Sequence, residues 1–505
     1  MSSNITSKRS AGVTPYQMYI DGVWTDAIEG NTLACIDPFD QSHWASVPLG
    51  TTADVDRAVR AARTAFTNPS WAKTSPLQRA ELLRKLARLI EGSTEELASV
   101  QVRENGKLYR ELMGQAKLMS NHCNYYAGLA EVNEGKTPAL SLPDMLNYTV
   151  REPLGVVAAI TPWNSPLLLM LWKIGPALAA GNTVVVKPSE VTPVSTLIFA
   201  RLIDEAGFPP GTFNVVTGYG DIGAALVNHP EVDKIAFTGS TATGKHIASA
   251  AGHRLARVSL ELGGKSPNII YADANLDNAV KGVLAGVFGA TGQTCMAGSR
   301  VLIQNEIYDE FSEMILKGVR AIKLGDPFDA ESEMGTVAFD GQFKKVLDYI
   351  EIAKAEGATL LHGGQPPQGR PDLEKGFFVE PTVFGDVSNS MRIAREEVFG
   401  PVVCLIRFSD EDDAVAIGND TPFGLAAGVW TENLARAHRT AARLRAGTVW
   451  VNTYRRTNYA SPFGGYKESG LGRENGSSAL EEFTEVKSVW INTGGAIKDP
   501  FNPRA

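Results

Sequence analysis

The chain has 505 residues, 44% hydrophobic and 21% charged, with 49 Gly and 27 Pro, which suits a folded protein of two to four domains and excludes extensive disorder beyond the ends. A formal net charge of -8 gives no general basic surface, arguing against nucleic acid or an anionic membrane as partner and for small molecules. The longest apolar run, "PLGVVAAITPW", is far short of the roughly 20 residues of a membrane span. The N-terminal "MSSNITSKRSAGVTPYQ" lacks an apolar signal region. The four cysteines form no CxxC pair and the seven histidines no HxxxH pair, so a cytoplasmic protein without a disulfide framework or a metal site is expected.

Along the chain, a short strand "MYIDGVW" precedes helical periodicity from Thr52 to Gly106, as in "DVDRAVRAARTAF" and "LQRAELLRKLARLIE". "LNYTVRE" then alternates like an edge strand. From Pro153 short β-branched runs alternate with helical patterns: "GVVAAI", "PLLLMLWKIGPALAAG", "TVVVKP", "VSTLIFARLIDEAG", "FNVVTG" and "KIAFTG". That alternation predicts βαβ units on a parallel sheet. A second α/β series follows Gly264, with "PNIIYA", a helix from Leu276 to about Phe288, "RVLIQ", a helix from Tyr308 to about Leu324, "VVCLIRF" and "TVWVN". "EVKSVWIN" near the end alternates again, and it and "LNYTVRE" are candidates for pairing across a subunit boundary, since long unpaired edges are usually covered.

Two glycine motifs invite a nucleotide reading. "GYGDIG" (218–223) has the G-x-G-x-x-G spacing but no acid about 20 residues on, and reads better as a turn than as a dinucleotide fingerprint. "GSTATGKH" has His246 where a P-loop needs a hydroxyl. What remains is a strand, "KIAFTG", running into a helix at Ser240, a junction whose free N–H groups suit an anion such as a pyrophosphate.

Four further stretches carry candidate chemistry. "GATGQTCMAGSR" (289–300) holds Cys295, a nucleophile or a packed core thiol, with no histidine nearby to ionise it. "LELGGKSP" puts Glu261 at a strand end, a general base or a solvated acid. "TPWNSPLL" puts Asn164 before a helix, an oxyanion donor or an N-cap. "EEVFGP" puts Glu397 and Phe399 before a Gly-Pro turn, where the acid alone reads as a surface charge.

Taken in order with "KPSE", "GFPPGTFNVVTG", "FTGSTATG" and "SPFGGYKESGLGRE", these stretches resemble the aldehyde dehydrogenase superfamily along nearly the whole chain. The resemblance implies an α/β fold: a Rossmann-type cofactor-binding domain (1–133 and 154–263), a second α/β catalytic domain (264–463) and a small β oligomerisation arm (134–153 and 480–497), assembled as a homodimer or homotetramer. It also implies that Cys295 attacks an aldehyde, that the Asn164 amide and the Cys295 N–H hold the oxyanion, that hydride passes to NAD, and that Glu261 ionises the thiol and activates water. It puts Lys187 and Glu190 on the adenosine ribose, Trp163, Gly239 and Ser240 near the pyrophosphate, and Glu397 and Phe399 at the nicotinamide ribose, with Gln342 and Lys345 as weaker candidates there. "GYGDIG" becomes a connecting turn. Glu190 favours NAD over NADP, because it would repel a 2′-phosphate. Lys173 and Glu474 match positions that can carry protons.

The family often has Asn where this chain has Ala290. Ser165, Gly289 and Thr457 stand where well-known members carry tunnel-lining aromatics, so the tunnel is expected to be wide, suiting bulky or aromatic aldehydes, with Leu169, Trp172, Thr294, Met296 and Phe463 as walls. Arg455 and Arg456 open a second possibility, a semialdehyde whose carboxylate meets an Arg fork. The alternatives are a CoA-acylating enzyme, disfavoured by Glu261, and an inactive structural relative.

Overall fold

The computed structural model describes residues 12–495, 497, 500 and 501. The start of the sequence, on which the absence of a signal region was read, and Ala496 in the expected arm lie outside the described residues. Four sheets organise the molecule. The first has eight strands in the order Gly470–Leu471, Arg257–Glu261, Lys234–Thr238, Val156–Ile160, Thr183–Lys187, Phe213–Val215, Met18–Ile20, Val23–Thr25. Its central strands run parallel and are buried on both faces, as their unbroken runs "GVVAAI" and "TVVVKP" predict. Chain order reverses between Val156–Ile160 and Lys234–Thr238. At such a switch point the loops leaving the two strands diverge to opposite faces and open a crevice at the carboxyl ends.

The helix Pro166–Ala180 leaves that crevice and is buried along its length except at Leu168, consistent with its near-uniform apolarity. Pro166 occupies its first turn, where no N–H partner is needed, and Gly181 closes it in the left-handed region. On the other side of the switch point, Ser240 caps the helix Thr241–His253, its Oγ accepting from the Thr243 N–H at 3.2 Å. Gly244 lets this helix pack closely, since a Cβ there would overlap Leu262.

The second sheet has seven strands, in the order Thr359–His362, Thr382–Gly385, Val402–Phe408, Arg300–Gln304, Pro267–Ile270, Ala426–Trp430, Thr448–Val451, parallel except at its first pair. The helix from Leu276 ends at Val287 as expected, whereas the one from Tyr308 stops at Arg320, before the expected Leu324. Leu324 instead bridges Met334. The opening is less helical than predicted: Thr32–Ile36 and His43–Pro48 pair antiparallel, extended to a third strand by Thr14–Pro15. Their brief alternation, "TLACI" buried at Leu33 and Cys35 only, is too short to stand out in sequence.

Met145–Pro153 and Thr484–Asn492, the two segments expected to cover an edge on another subunit, pair with each other along their whole length as an antiparallel ribbon. The ribbon leaves Val486 (59% exposed), Trp490 (55%) and Ile491 (43%) in the open. Among the described residues no helix is long and apolar enough to cross a membrane, and no cluster of potential metal ligands occurs.

Candidate active site

Cys295 sits in the loop between the helix Leu276–Val287 and the strand Arg300–Gln304, before a strand of the second sheet, and shares a cavity with Asn164 and Thr238 at the carboxyl ends of strands of the first. Three consecutive residues before it, Ala290 (φ 56°), Thr291 (φ 55°) and Gly292 (φ 70°), are left-handed. Only Gly takes that region without cost, and here there is also no room for more: a Cβ on Gly292 would overlap the Gly400 carbonyl. Ala290 thus occupies a conformation that favours Asn, which is the physical content of its departure from the family pattern.

Side chains hold this loop. Gln293 is fully buried, accepting from the Ala338 N–H at 2.9 Å and donating to the Thr336 carbonyl at 3.2 Å. Glu111 accepts from the Ala290 N–H at 2.9 Å. At the far end, buried Arg300 donates to the carbonyls of Lys265, Ile417 and Gly418 and to Asn389, each at 2.8 to 2.9 Å. The result is a thiol on a rigid mount.

Of the four cysteines, Cys35, Cys123 and Cys404 are buried and Cys295 alone is partly open. It lines a cavity of about 140 Å³ together with Asn164, Leu169, Leu262, Gly263, Glu397 and Phe399. Asn164 Nδ2 donates to the Gln293 carbonyl at 3.0 Å, which ties the amide to the nucleophile loop and leaves its second N–H. Asn164 is not the N-cap of the following helix, a position taken by Ser165. Burial pushes the Cys295 thiol up to about 12, with the charges of Glu397 and then Glu261 adding to it, against the N–H groups of Cys295 and Met296, which favour the thiolate.

Glu261 ends the strand Arg257–Glu261. It is 5% exposed, and neither carboxylate oxygen has a hydrogen-bond partner among the described residues. Burial holds its proton affinity well above the usual carboxylate range, with Glu474 adding to the effect and Lys173 and Arg473 opposing it. Lys173, fully buried, is paired with Glu474 and bonded to Thr238 Oγ1. The structure therefore brings both sequence candidates beneath Glu261.

A groove of about 360 Å³ continues from the cavity, the two sharing Pro162, Trp163, Thr238, Gly239 and Ser240. Lys187 and Glu190 line its outer part, Lys187 Nζ standing 3.6 Å from Glu190 Oε2. Burial pushes Lys187 down, and Glu190 partly restores it. The groove suits an extended dinucleotide: it follows the switch-point crevice, the helix beginning at Thr241 points its N-terminus into it, Thr161 Oγ1 is buried without a partner among the described residues, and Val227, Phe237, Ile247 and Ala250 give its outer end apolar walls. At the inner end Trp163 packs edge-on against Phe399, ring centroids 5.2 Å apart. Glu397 accepts from the Gly264 N–H at 3.0 Å, lying where a Cβ on Gly263 would be. Gln342 reaches the cavity wall but spends its amide on the Val398 and Phe399 carbonyls, at 2.8 and 3.0 Å, so it holds the Phe399 turn (φ 59°).

The structure also changes two motif readings. "GYGDIG" is only half a turn: Gly220–Asn228 is a helix whose Gly220 and Gly223 line the groove. Their spacing, three apart on one helical face, was visible in sequence, but whether that face met solvent or a groove was not. Lys245 of the apparent P-loop turns outward to Glu468 at 2.8 Å. Ser189, Thr243 and His246 also line the groove; Ser189 and Thr243 lie within "KPSE" and "FTGSTATG", and His246 is the residue that breaks the P-loop pattern.

Residues 24–489 match the model of the aldehyde dehydrogenase family, and the chain is 47% identical over 478 residues to a putative aldehyde dehydrogenase, DhaS, of Bacillus subtilis, covering 94% of this chain and 95% of that one. The chain belongs to the aldehyde dehydrogenase family. The fold agrees: betaine aldehyde dehydrogenase from Staphylococcus aureus, solved with NAD+, superposes with a TM-score of 0.95 at 42% identity, covering 96% of each chain. Aldehyde dehydrogenase from Bacillus cereus gives 0.93 at 46% identity, covering 95% of this chain and 97% of that one. In another structure of the staphylococcal enzyme, a point mutant holding NAD+, a cysteine carries β-mercaptoethanol.

Proposed function

We propose that this aldehyde dehydrogenase oxidises its substrate to the carboxylic acid with NAD, using Cys295 as nucleophile, Asn164 as oxyanion donor and Glu261 as general base. One observation carries the reading: the one partly open thiol shares a cavity with the Asn164 amide, and that cavity joins a dinucleotide-sized groove.

Glu261 takes the thiol proton, and the thiolate adds to the aldehyde carbon. The oxyanion is held by the free Asn164 N–H and the Cys295 N–H. NAD, when bound, supplies the acceptor for the hydride lost from that carbon, and the carbon remains as a thioester on Cys295. Glu261 gives up the thiol proton to solvent, with the Lys173–Glu474 pair beside it as the candidate carrier, and, as a carboxylate again, takes a proton from water as the water oxygen adds. The carbon–sulfur bond then breaks, releasing the acid and the thiolate. A carboxylate of ordinary affinity is a weak base for a thiol. Burial of Glu261 narrows the difference from one side, and a bound nicotinamide ribose that engaged Glu397 would weaken its effect on the thiol from the other.

Lys187 and Glu190 would hold the adenosine ribose, and the Glu190 carboxylate disfavours a 2′-phosphate, which gives the preference for NAD over NADP. Water activation by Glu261 favours acid over CoA-thioester as product. An aldehyde panel monitored by NADH absorbance tests the reading: acid forms without CoA, and Cys295→Ala abolishes turnover. Activity surviving that substitution would remove Cys295 from the mechanism. The open apolar residues of the ribbon support a second copy of the chain as partner. Val486→Asp combined with Trp490→Asp should then reduce the mass measured by light scattering, and an unchanged mass would exclude this surface.

A further inference from the structure

A proton taken up by Glu261 has to leave a carboxylate that is almost fully buried, and the sheet face on which Glu261 stands is polar along its length. In parallel register Thr238 lies beside Glu261, Ala236 beside Ser259 and Lys234 beside Arg257. Side-chain alternation puts these six on one face. Ile235, Phe237 and Leu260 point to the other, into an apolar core. Lys173 reaches the polar face from the helix Pro166–Ala180, bonding to Thr238 Oγ1 and pairing with Glu474.

Lys234 begins the strand that Thr238 ends, roughly 13 Å away at about 3.3 Å per residue. It is fully buried, its Nζ lying 4.9 Å from the centre of the Phe483 ring and 3.6 Å from Glu482 Oε2. The Glu482 side chain is 32% exposed, so this end of the face meets solvent. Between the two ends, both oxygens of Glu261, Glu474 Oε2, Ser259 Oγ and Lys234 Nζ are buried and make no hydrogen bond among the described residues. Ser259 stands on the rung midway between Glu261 and Arg257. Buried polar atoms in folded proteins are paired, and where no side chain serves, ordered water does.

Burial pushes Lys234 down to about 8, with Glu482 and then Glu474 opposing and Arg257 pressing further, so the field of Glu474 extends to this amine. An amine in that range both gives and accepts a proton near neutral pH. Two protons leave Glu261 in each turnover, one from the thiol and one from the attacking water, while the proton of the acid formed resets the thiolate. With an aldehyde and nicotinamide in the cavity, solvent on that side is displaced, and the polar face is the way that stays open.

Resting on the reading of Glu261 as general base, we infer that the protons it collects pass from the Lys173–Glu474 pair along this face, by water held at Ser259, to Lys234 and out at Glu482. The test is a single turnover by stopped flow in weak buffer, with the best aldehyde of the panel, following NADH absorbance and a pH indicator together. In the unmodified protein proton release should keep pace with turnover. Lys234→Arg keeps the cation and its pairing with Glu482, but a guanidinium does not release a proton. In Lys234→Arg and in Glu482→Gln the rate of proton release should fall about tenfold while NADH forms at the unmodified rate, because Glu261 can hold the first proton, and kcat should fall with proton release. Folding is checked by circular dichroism and Tm. Should Lys234→Arg not fold, Glu482→Gln, at the solvent end, carries the test. Proton release undelayed in the folded variants, or delayed in Lys234→Met and restored in Lys234→Arg, overturns the inference, the second outcome leaving Lys234 a purely structural cation. Absence of NADH with every aldehyde overturns instead the catalytic reading on which it rests.

Discussion

Glu397 beside the nucleophile loop predicts that Glu397→Gln makes the free enzyme's thiol more acidic. Glu397 raises the proton affinity of Cys295, second only to burial, and glutamine keeps the acceptor for the Gly264 N–H while removing the charge. Two unit charges about 10 Å apart at an effective dielectric near 20 interact by roughly 1.7 kcal/mol, about one pK unit. The sign follows from the thiolate being anionic: removing a neighbouring anion stabilises it, so its pKa falls from about 12. A more acidic thiolate is less nucleophilic, with a Brønsted coefficient of about 0.4 to 0.5, so a tenfold gain in thiolate yields about a threefold gain in rate below the pKa. The assay is alkylation by iodoacetamide without nucleotide, between pH 7 and 10, with Cys295→Ala as the background control. Both log-rate lines should rise in parallel with pH, the variant about threefold higher. Coincident lines, or a slower variant, would refute the electrostatic argument, because no other change in the site is expected to move the thiolate in that direction.

Glu261→Gln should lower steady-state kcat about 10²- to 10⁴-fold and slow the NADH burst with it, since the thiol then lacks its base; a burst near one equivalent per site at the wild-type rate would confine Glu261 to thioester hydrolysis. The base form of Glu261 exists above its raised pKa, so kcat should fall on acidification at a pH above the ordinary carboxylate value of about 4.3. Glu474→Gln removes the charge that raises Glu261 and frees Lys173, which lowers it, so the acid limb should move to lower pH, checked by a pH–kcat profile. The same substitution breaks a buried pair, at a cost of about 3 to 5 kcal/mol, and should lower Tm. Glu190→Gln should raise KM for NAD about tenfold and narrow its advantage over NADP; an unchanged cofactor ratio would remove Glu190 from that role.

Much of this protein was legible from its sequence because the relevant signals are local. The unbroken β-branched runs report burial on both faces, and the switch from helical to βαβ texture at Pro153 reports the parallel sheet. The ordered motifs carried Cys295, Glu261 and Asn164 into view although the three are far apart in the chain. Local signals failed where a side chain's meaning depends on what folds against it. The Gly220 and Gly223 spacing fits a turn or a helix until a groove is seen beside it. "EVKSVWIN" and "LNYTVRE" both read as edges, and nothing in either stretch says that the two edges satisfy each other. Gly289 and Ser165 show the limit most directly. A missing side chain in sequence reads as empty space, but space belongs to the packed structure, and there Arg455 and Lys107, distant in sequence, take it up. The sequence by itself determined the fold class and pointed to the candidate residues for chemistry, through periodicity and motif order. Only the tertiary structure decided the charge around the thiol, because electrostatic fields depend on distance and burial, which no spacing along the chain records.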